Sequence, residues 1–176
     1  MKKNFKRQLE KTKTYLIIVI IAWFLSIIFA VSSYSISALM VMKATNNDAS
    51  VISTGMIIAQ SILSVFSFAS SIVGIVFGIK LAILSNDVRK LFTKMVYETS
   101  LKRQIEQANL VKLLAYSRTI ERLFIFNLLG ILSGPVLLII NLFFTKNALM
   151  SSRNILALLD DETEQQVSDT TEVVSN

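Results

Sequence analysis

The sequence predicts an all-α, polytopic membrane protein with three transmembrane helices, the second and third prolonged into the cytosol as a helical hairpin. Three runs without a single charge carry this reading: Thr14 to Met42, Ala49 to Ile79 and Leu123 to Thr145, of 29, 31 and 23 residues. About 20 apolar residues in an α-helix suffice to cross the hydrocarbon core of a bilayer. That core holds no water to satisfy backbone amides, so each run must be helical. A second observation extends the helices: no Gly or Pro occurs between Gly78 and Gly130, and these residues are the strongest local breakers.

The chain divides accordingly. Residues 1–13 form a basic N-terminus, 14–149 a membrane domain with spans at about 14–42, 49–84 and 123–145 and a helical segment at 85–122, and 150–176 an acidic tail. Hydrophobic residues make up 53% of the 176 positions and charged ones 17%, a balance suited to one membrane domain with short flanks. Frequent Ile, Lys, Asn, Phe and Ser suit an AT-rich bacterial genome, and hence a bacterial plasma membrane.

Orientation follows from charge. Met1 to Lys13 carries a net +5, Lys43 to Asp48 is neutral, Lys80 to Arg122 carries +5, and Lys146 to Asn176 carries −4. Basic residues flanking spans stay in the cytoplasm, which puts the N-terminus and the central segment inside and, after three spans, the C-terminus outside. A cleaved signal peptide is the rival reading of the first forty residues. Its apolar region is only about 7–15 residues long, so the 29-residue run reads as an uncleaved anchor.

The first two spans exceed a roughly 30 Å core at about 1.5 Å per residue, and so tilt or project beyond it. Lys43 to Asp48 closes a hairpin between them, with Asn and Asp suited to turn and cap positions. On a helical wheel the small and polar residues of each span line up. Ala22, Ser26, Ala30, Ser33 and Ser37 form one stripe; Ser53, Gln60, Ser64, Ser67, Ser71, Gly74, Gly78 and Ala82 form the second; Asn127, Gly130, Gly134, Asn141 and Thr145 form the third. Small residues let helix backbones approach closely, and Ser or Asn bonds across the contact. The three stripes are therefore expected to meet.

Two functions fit such stripes. One is a packing seam, within the chain or between protomers, in which Ser71, Gly74, Gly78, Gly130 and Gly134 dominate and Gly74→Leu weakens association. The other is a polar path for a small solute, lined by Gln60, Ser64, Ser67, Ser71, Asn127 and Asn141, which needs an oligomer because three spans cannot easily enclose a pore. No Asp, Glu, Lys or Arg lies within a span core, which argues against coupled transport. Gly134-Pro135 interrupts the third span and predicts a kink at Pro135. A re-entrant loop at this point is the alternative, and it returns the C-terminus to the cytoplasm.

In the central segment Val88, Phe92, Met95 and Val96 share one apolar face and Leu110, Leu113, Leu114, Ile120 and Phe124 another, as expected for two arms of an antiparallel hairpin with its tip near residues 98–107 or, as the alternative, for segments lying flat on the membrane. Arg89, Lys90, Lys94, Lys102 and Arg103 give that region a docking surface for a partner or for anionic head groups.

No catalytic residue, cofactor-binding residue or metal ligand is predicted. The chain has neither Cys nor His, which removes thiolate chemistry and the common soft metal ligands, and no HExxH, Walker A, GxSxG or GxGxxG is present. Nucleic acid is not an expected partner despite a sequence pI near 9.7, because topology already accounts for the basic residues. The tail from Asp160 is acidic and poor in large apolar groups, which predicts disorder. The expected protein is non-enzymatic and works by helix packing, as accessory or scaffold subunit of a membrane assembly or as a homo-oligomer, its partners being membrane lipids and other membrane subunits or itself. A passive channel is the second expectation, and a small protective or immunity protein, resting on size and topology alone, the third.

Overall fold

A computed structural model of the chain describes residues 2–45, 54–102 and 107–173, with side chains at 2–45, 54–98, 109–131 and 134–158. The expected turn residues 46–48, Ser53 and the tip residue Arg103 lie outside these, as does the side chain of Lys102. The described residues form four helices and no strand: α1 (Lys2–Thr45), α2 (Thr54–Lys102), α3 (Gln107–Ser133) and α4 (Pro135–Val173). Three helical stretches, Lys2–Thr45, Thr54–Glu98 and Pro135–Leu158, are long and apolar enough to cross a membrane.

The third predicted span is corrected. Residues 123–145 do not form one kinked helix; the chain reverses at Gly134, and α4 runs back along α3. Gly134 has φ +98°, a backbone region open to glycine, and its N–H closes α3 by donating to the Gly130 carbonyl at 3.0 Å. Pro135 then starts α4, where a missing N–H costs nothing and the fixed φ suits the first helical turn. Antiparallel pairs run down the hairpin. The Phe126 and Phe144 rings stack 5.6 Å apart, Asn141 Nδ2 donates to the Leu123 carbonyl at 3.2 Å, and the Tyr116 hydroxyl donates to the Ala148 carbonyl at 2.8 Å.

α4 also runs antiparallel to α1, so that Lys2 Nζ donates to the Leu156 carbonyl at 3.4 Å. Those two residues cannot lie on opposite faces of a bilayer. Lys2 and Leu156 thus lie at one end of the bundle. α4 continues to Val173, and Ile155, Leu156 and Leu158 pack on the core. Residues 174–176 lie outside the described chain.

α1 packs on α2 and α4, and α3 packs on the same two, giving an antiparallel four-helix bundle. Its core takes Phe5 and Leu9 from α1, Val88, Phe92 and Met95 from α2, Leu113, Tyr116, Ile120 and Leu123 from α3, and Ala148 and Ile155 from α4. Phe92 links the Phe5 and Tyr116 rings, at 5.6 and 5.0 Å. A second cluster of Leu16, Val19, Leu81 and Leu138 continues the core toward the Gly134 turn. Beyond that turn only α1 and α2 go on, as a two-helix arm. Of the apolar faces expected of the central segment, Val88, Phe92, Met95, Val96, Leu113 and Ile120 pack here, whereas Leu114 is exposed.

Candidate functional site

The α1–α2 arm is joined by hydroxyls. Ser26 Oγ lies 2.7 Å from Ser71 Oγ, Ser33 Oγ lies 2.8 Å from Ser64 Oγ, and Gln60 Nε2 donates to Ser37 Oγ at 2.6 Å. Ser67 Oγ donates to the Ser26 carbonyl at 3.1 Å. These distances require close backbones, which the small residues of both stripes permit. At Gly74 a Cβ would sit 3.7 Å from Ala22 Cβ and from Trp23 Nε1. The first two stripes thus meet inside one chain, and Gly74 belongs to an intrachain contact.

One helical turn further on, the α2 stripe changes partner. A Cβ at Gly78 would lie 3.2 Å from Ile131 of α3. Ser85, in the same register, accepts from Asn127 Nδ2 at 2.6 Å and donates to the Leu81 carbonyl at 2.8 Å. Asn127 Oδ1 in turn accepts from Asn141 Nδ2. Ser85, Asn127, Asn141 and Thr145 are all buried, so this network ties α2, α3 and α4 together in their interior, with Asn141 Oδ1 left without a protein partner. The third stripe therefore closes on itself: a Cβ at Gly130 would meet Leu138 Cδ2 at 2.5 Å and Cγ at 2.8 Å.

Sequence reasoning missed Ser85 because it lies beyond the charge-free run, although its place in the heptad-like series after Gly74 and Gly78 was a usable signal. Leu138 was invisible for a different reason. Nothing in its own neighbourhood announces a contact with Gly130.

Two grooves border the bundle. Arg89, Lys90, Lys94, Tyr97, Ser117 and Glu121 line one of about 550 Å3 between α2 and α3. There the Arg89 guanidinium lies 4.6 Å from the Phe124 ring centroid and donates to Asn86 Oδ1 at 3.0 Å, and Lys94 pairs with Glu98 at 3.8 Å. Three of the expected docking residues are thus brought together, with Arg89 partly consumed by its own helix face. The other groove, of about 680 Å3, lies between α1 and α4 and is lined by Lys6, Glu10, Lys13, Lys146, Met150 and Arg153; sequence reading used its basic residues only for topology.

Among the described residues no group of three or more His, Cys, Asp or Glu is placed to hold a metal ion. Burial holds the Tyr116 phenol above its ordinary range, but its hydroxyl is engaged with a backbone carbonyl. No protein family, curated protein or solved structure matches this chain.

Proposed function

We propose that this chain is a non-enzymatic, multi-pass protein of the bacterial plasma membrane that acts by packing, as a scaffold or accessory subunit of a membrane assembly or as a homo-oligomer, with its four-helix end in the cytoplasm. One observation carries the reading: the interior and the surface of the molecule exchange character along its length. Where the surface bears Lys3, Arg7, Lys11 and Lys90, the interior is Phe5, Leu9, Phe92 and Ile120. Where the surface is Ile28, Val31, Val65 and Phe68, the interhelical contact is made by serines. Water drives apolar groups inward, whereas lipid offers no such drive and leaves small and hydrogen-bonding residues to join helices. The switch falls near Leu16 to Trp23 on α1, just past Lys13, the last charge before the apolar run. The basic flanks then favour the four-helix end for the cytoplasm.

Packing within the chain uses up the serine stripe, so association falls to the outward apolar faces of the arm, among them Ile28, Tyr34, Val65 and Phe68, and to the basic grooves. Mass determination of the protein in mild detergent or nanodiscs tests this. A species larger than one 19.7 kDa chain, or one holding a second membrane subunit at fixed ratio, is expected; a strict monomer that retains no partner removes the reading. The channel alternative loses support because Ser64, Ser67, Ser71 and Gln60 bond across the α1–α2 contact and Asn127 and Asn141 bond each other. Absence of flux in proteoliposomes above empty vesicles eliminates it.

A further inference from the structure

The turn at Gly134 does more than shorten a span, because it gives the two halves of the molecule unequal cross-sections. Gly134 stands 11 residues from both Leu123 and Thr145, the ends of the charge-free run, which is about 16 Å of helix and about half of a 30 Å core. On α2 the turn is level with Gly78, whose position faces Ile131, whereas the nearest side chains to Gly74 are Ala22 and Trp23 of α1. Below that level four helices lie side by side; above it there are two. Among the described residues no side chain of α2 before Gly74 is buried, and on α1 beyond Ala22 only Ser26 and Ser33 are.

The hairpin is built to lie in lipid. Its outward side presents Ile125, Leu128, Leu129, Val136, Ile140 and Phe143, with Val136 and Phe143 about two-thirds exposed (68% and 67%). An apolar surface of this kind at the end of a soluble bundle is a liability in water. Beside the equally apolar outer faces of Ile21 and Ile79 it completes a belt.

We propose that the chain is a one-sided membrane wedge, which partitions to bilayers whose four-helix leaflet is convex. This rests on the membrane reading above and adds a preference for shape. Two additional helices, each about 10–12 Å across with side chains, expand one leaflet and leave the other unchanged. A bilayer curved toward that leaflet accommodates the excess without compression, and any difference in free energy between flat and curved lipid redistributes the protein. With the four-helix end cytoplasmic, the favoured membrane bulges toward the cytoplasm.

The Cys-free chain allows a direct test. Lys3→Cys and Ala44→Cys are exposed sites at the four-helix and two-helix ends, respectively. Each full-length variant is reconstituted into giant vesicles of phosphatidylcholine and phosphatidylglycerol, labelled from outside with an impermeant thiol dye, and followed on tubes pulled from the vesicles. Dye on Lys3→Cys reports molecules whose wide end lies in the outer, convex leaflet; dye on Ala44→Cys reports the opposite insertion. The first population is expected to be enriched on tubes about twofold, which needs a differential free energy smaller than RT, and the second depleted. Equal densities on tube and vesicle for both labels, or the reverse order, overturn the wedge in a chain that stays inserted. Release of the protein by alkaline wash overturns the membrane reading itself, and the wedge with it.

Discussion

Gly130 and Leu138 are eight residues apart, and whether they touch decides the architecture. In a straight third span they would be separated by about 12 Å along the axis. In the hairpin a methyl group at Gly130 meets Leu138 Cδ2 and Cγ at 2.5 and 2.8 Å, and Leu138 is fully buried among Leu16, Val19 and Leu81, with nowhere to move. Overpacking of this kind costs about 1–3 kcal/mol, offset by about 1 kcal/mol because Ala is the better helix former. Gly130→Ala is therefore expected to destabilise by up to about 2 kcal/mol. Leu138→Ala alone should cost about 2–5 kcal/mol through lost contacts and a cavity. The pair is the informative species: in the Gly130→Ala background, truncating Leu138 relieves the clash, so the double variant should be more stable than the sum of the singles by about 0.5–3 kcal/mol, the coupling seen between touching residues. Reversible unfolding in mixed micelles, followed by circular dichroism and by the fluorescence of the single Trp23, measures all four corners of the cycle. Additivity to within about 0.5 kcal/mol, as for residues without shared partners, refutes the hairpin.

Topology gives a second test. Impermeant thiol labelling of single-Cys variants on intact cells should mark Asn47→Cys alone, with Gln104→Cys and Ser168→Cys reactive only after the membrane is opened; a tail labelled from outside would require a third crossing. In the buried amide network, Asn141→Ala strips Asn127 Oδ1 of its donor and should cost about 1–3 kcal/mol, whereas Asn127→Leu with Asn141→Leu should cost less than the two singles together; a strictly additive pair would count against the network. Across the arm, Ser26→Ala is expected to cost only about 0.6 kcal/mol, the typical worth of an interhelical hydrogen bond in a membrane, and a loss several times larger would mean that the seam is doing more than joining α1 to α2. Tyr116 adds an alkaline signature. Its folded-state pKa is raised by burial, so its stabilisation is complete below the unfolded value of about 10 and is lost as pH rises above it, where the unfolded chain alone releases the proton. Tyr116→Phe should flatten unfolding midpoints measured above about pH 10, and an unchanged slope would count against a buried phenol.

Much of this architecture is written in local pattern. The serine stripes of α1 and α2 are periodic, and their periodicity is the contact itself: Ser26 with Ser71 and Ser33 with Ser64 keep one antiparallel register. The long unbroken helix through Asp87 follows from the lack of Gly and Pro. The reversal at Gly134 was only half legible. Gly-Pro announces an interruption, but a 23-residue apolar run satisfies a length criterion equally well whether it crosses or folds back on itself. What decides is a long-range match, in which Lys2 to Leu9 find Ala148 to Leu156, and no local window contains both. The same limit hid the handover of the α2 stripe from α1 to α3, since Gly74 and Gly78 look alike in sequence and differ only in what faces them.

The core that joins Phe5 and Leu9 to Ala148 and Ile155 also sets an order of events during synthesis. The first helix emerges with part of its buried face unmatched, and the α4 residues that cover it are made some 140 positions later. α1 and α2 can pair as soon as both exist, through contacts that need only each other. The wide end cannot close until α4 has been made. A nascent chain stalled before α4 would therefore hold a finished arm above an open, aromatic-lined base. Chains interrupted there display Phe5, Phe92 and Tyr116 to chaperones and proteases, so closure of the base becomes the molecule's own report that α4 has arrived.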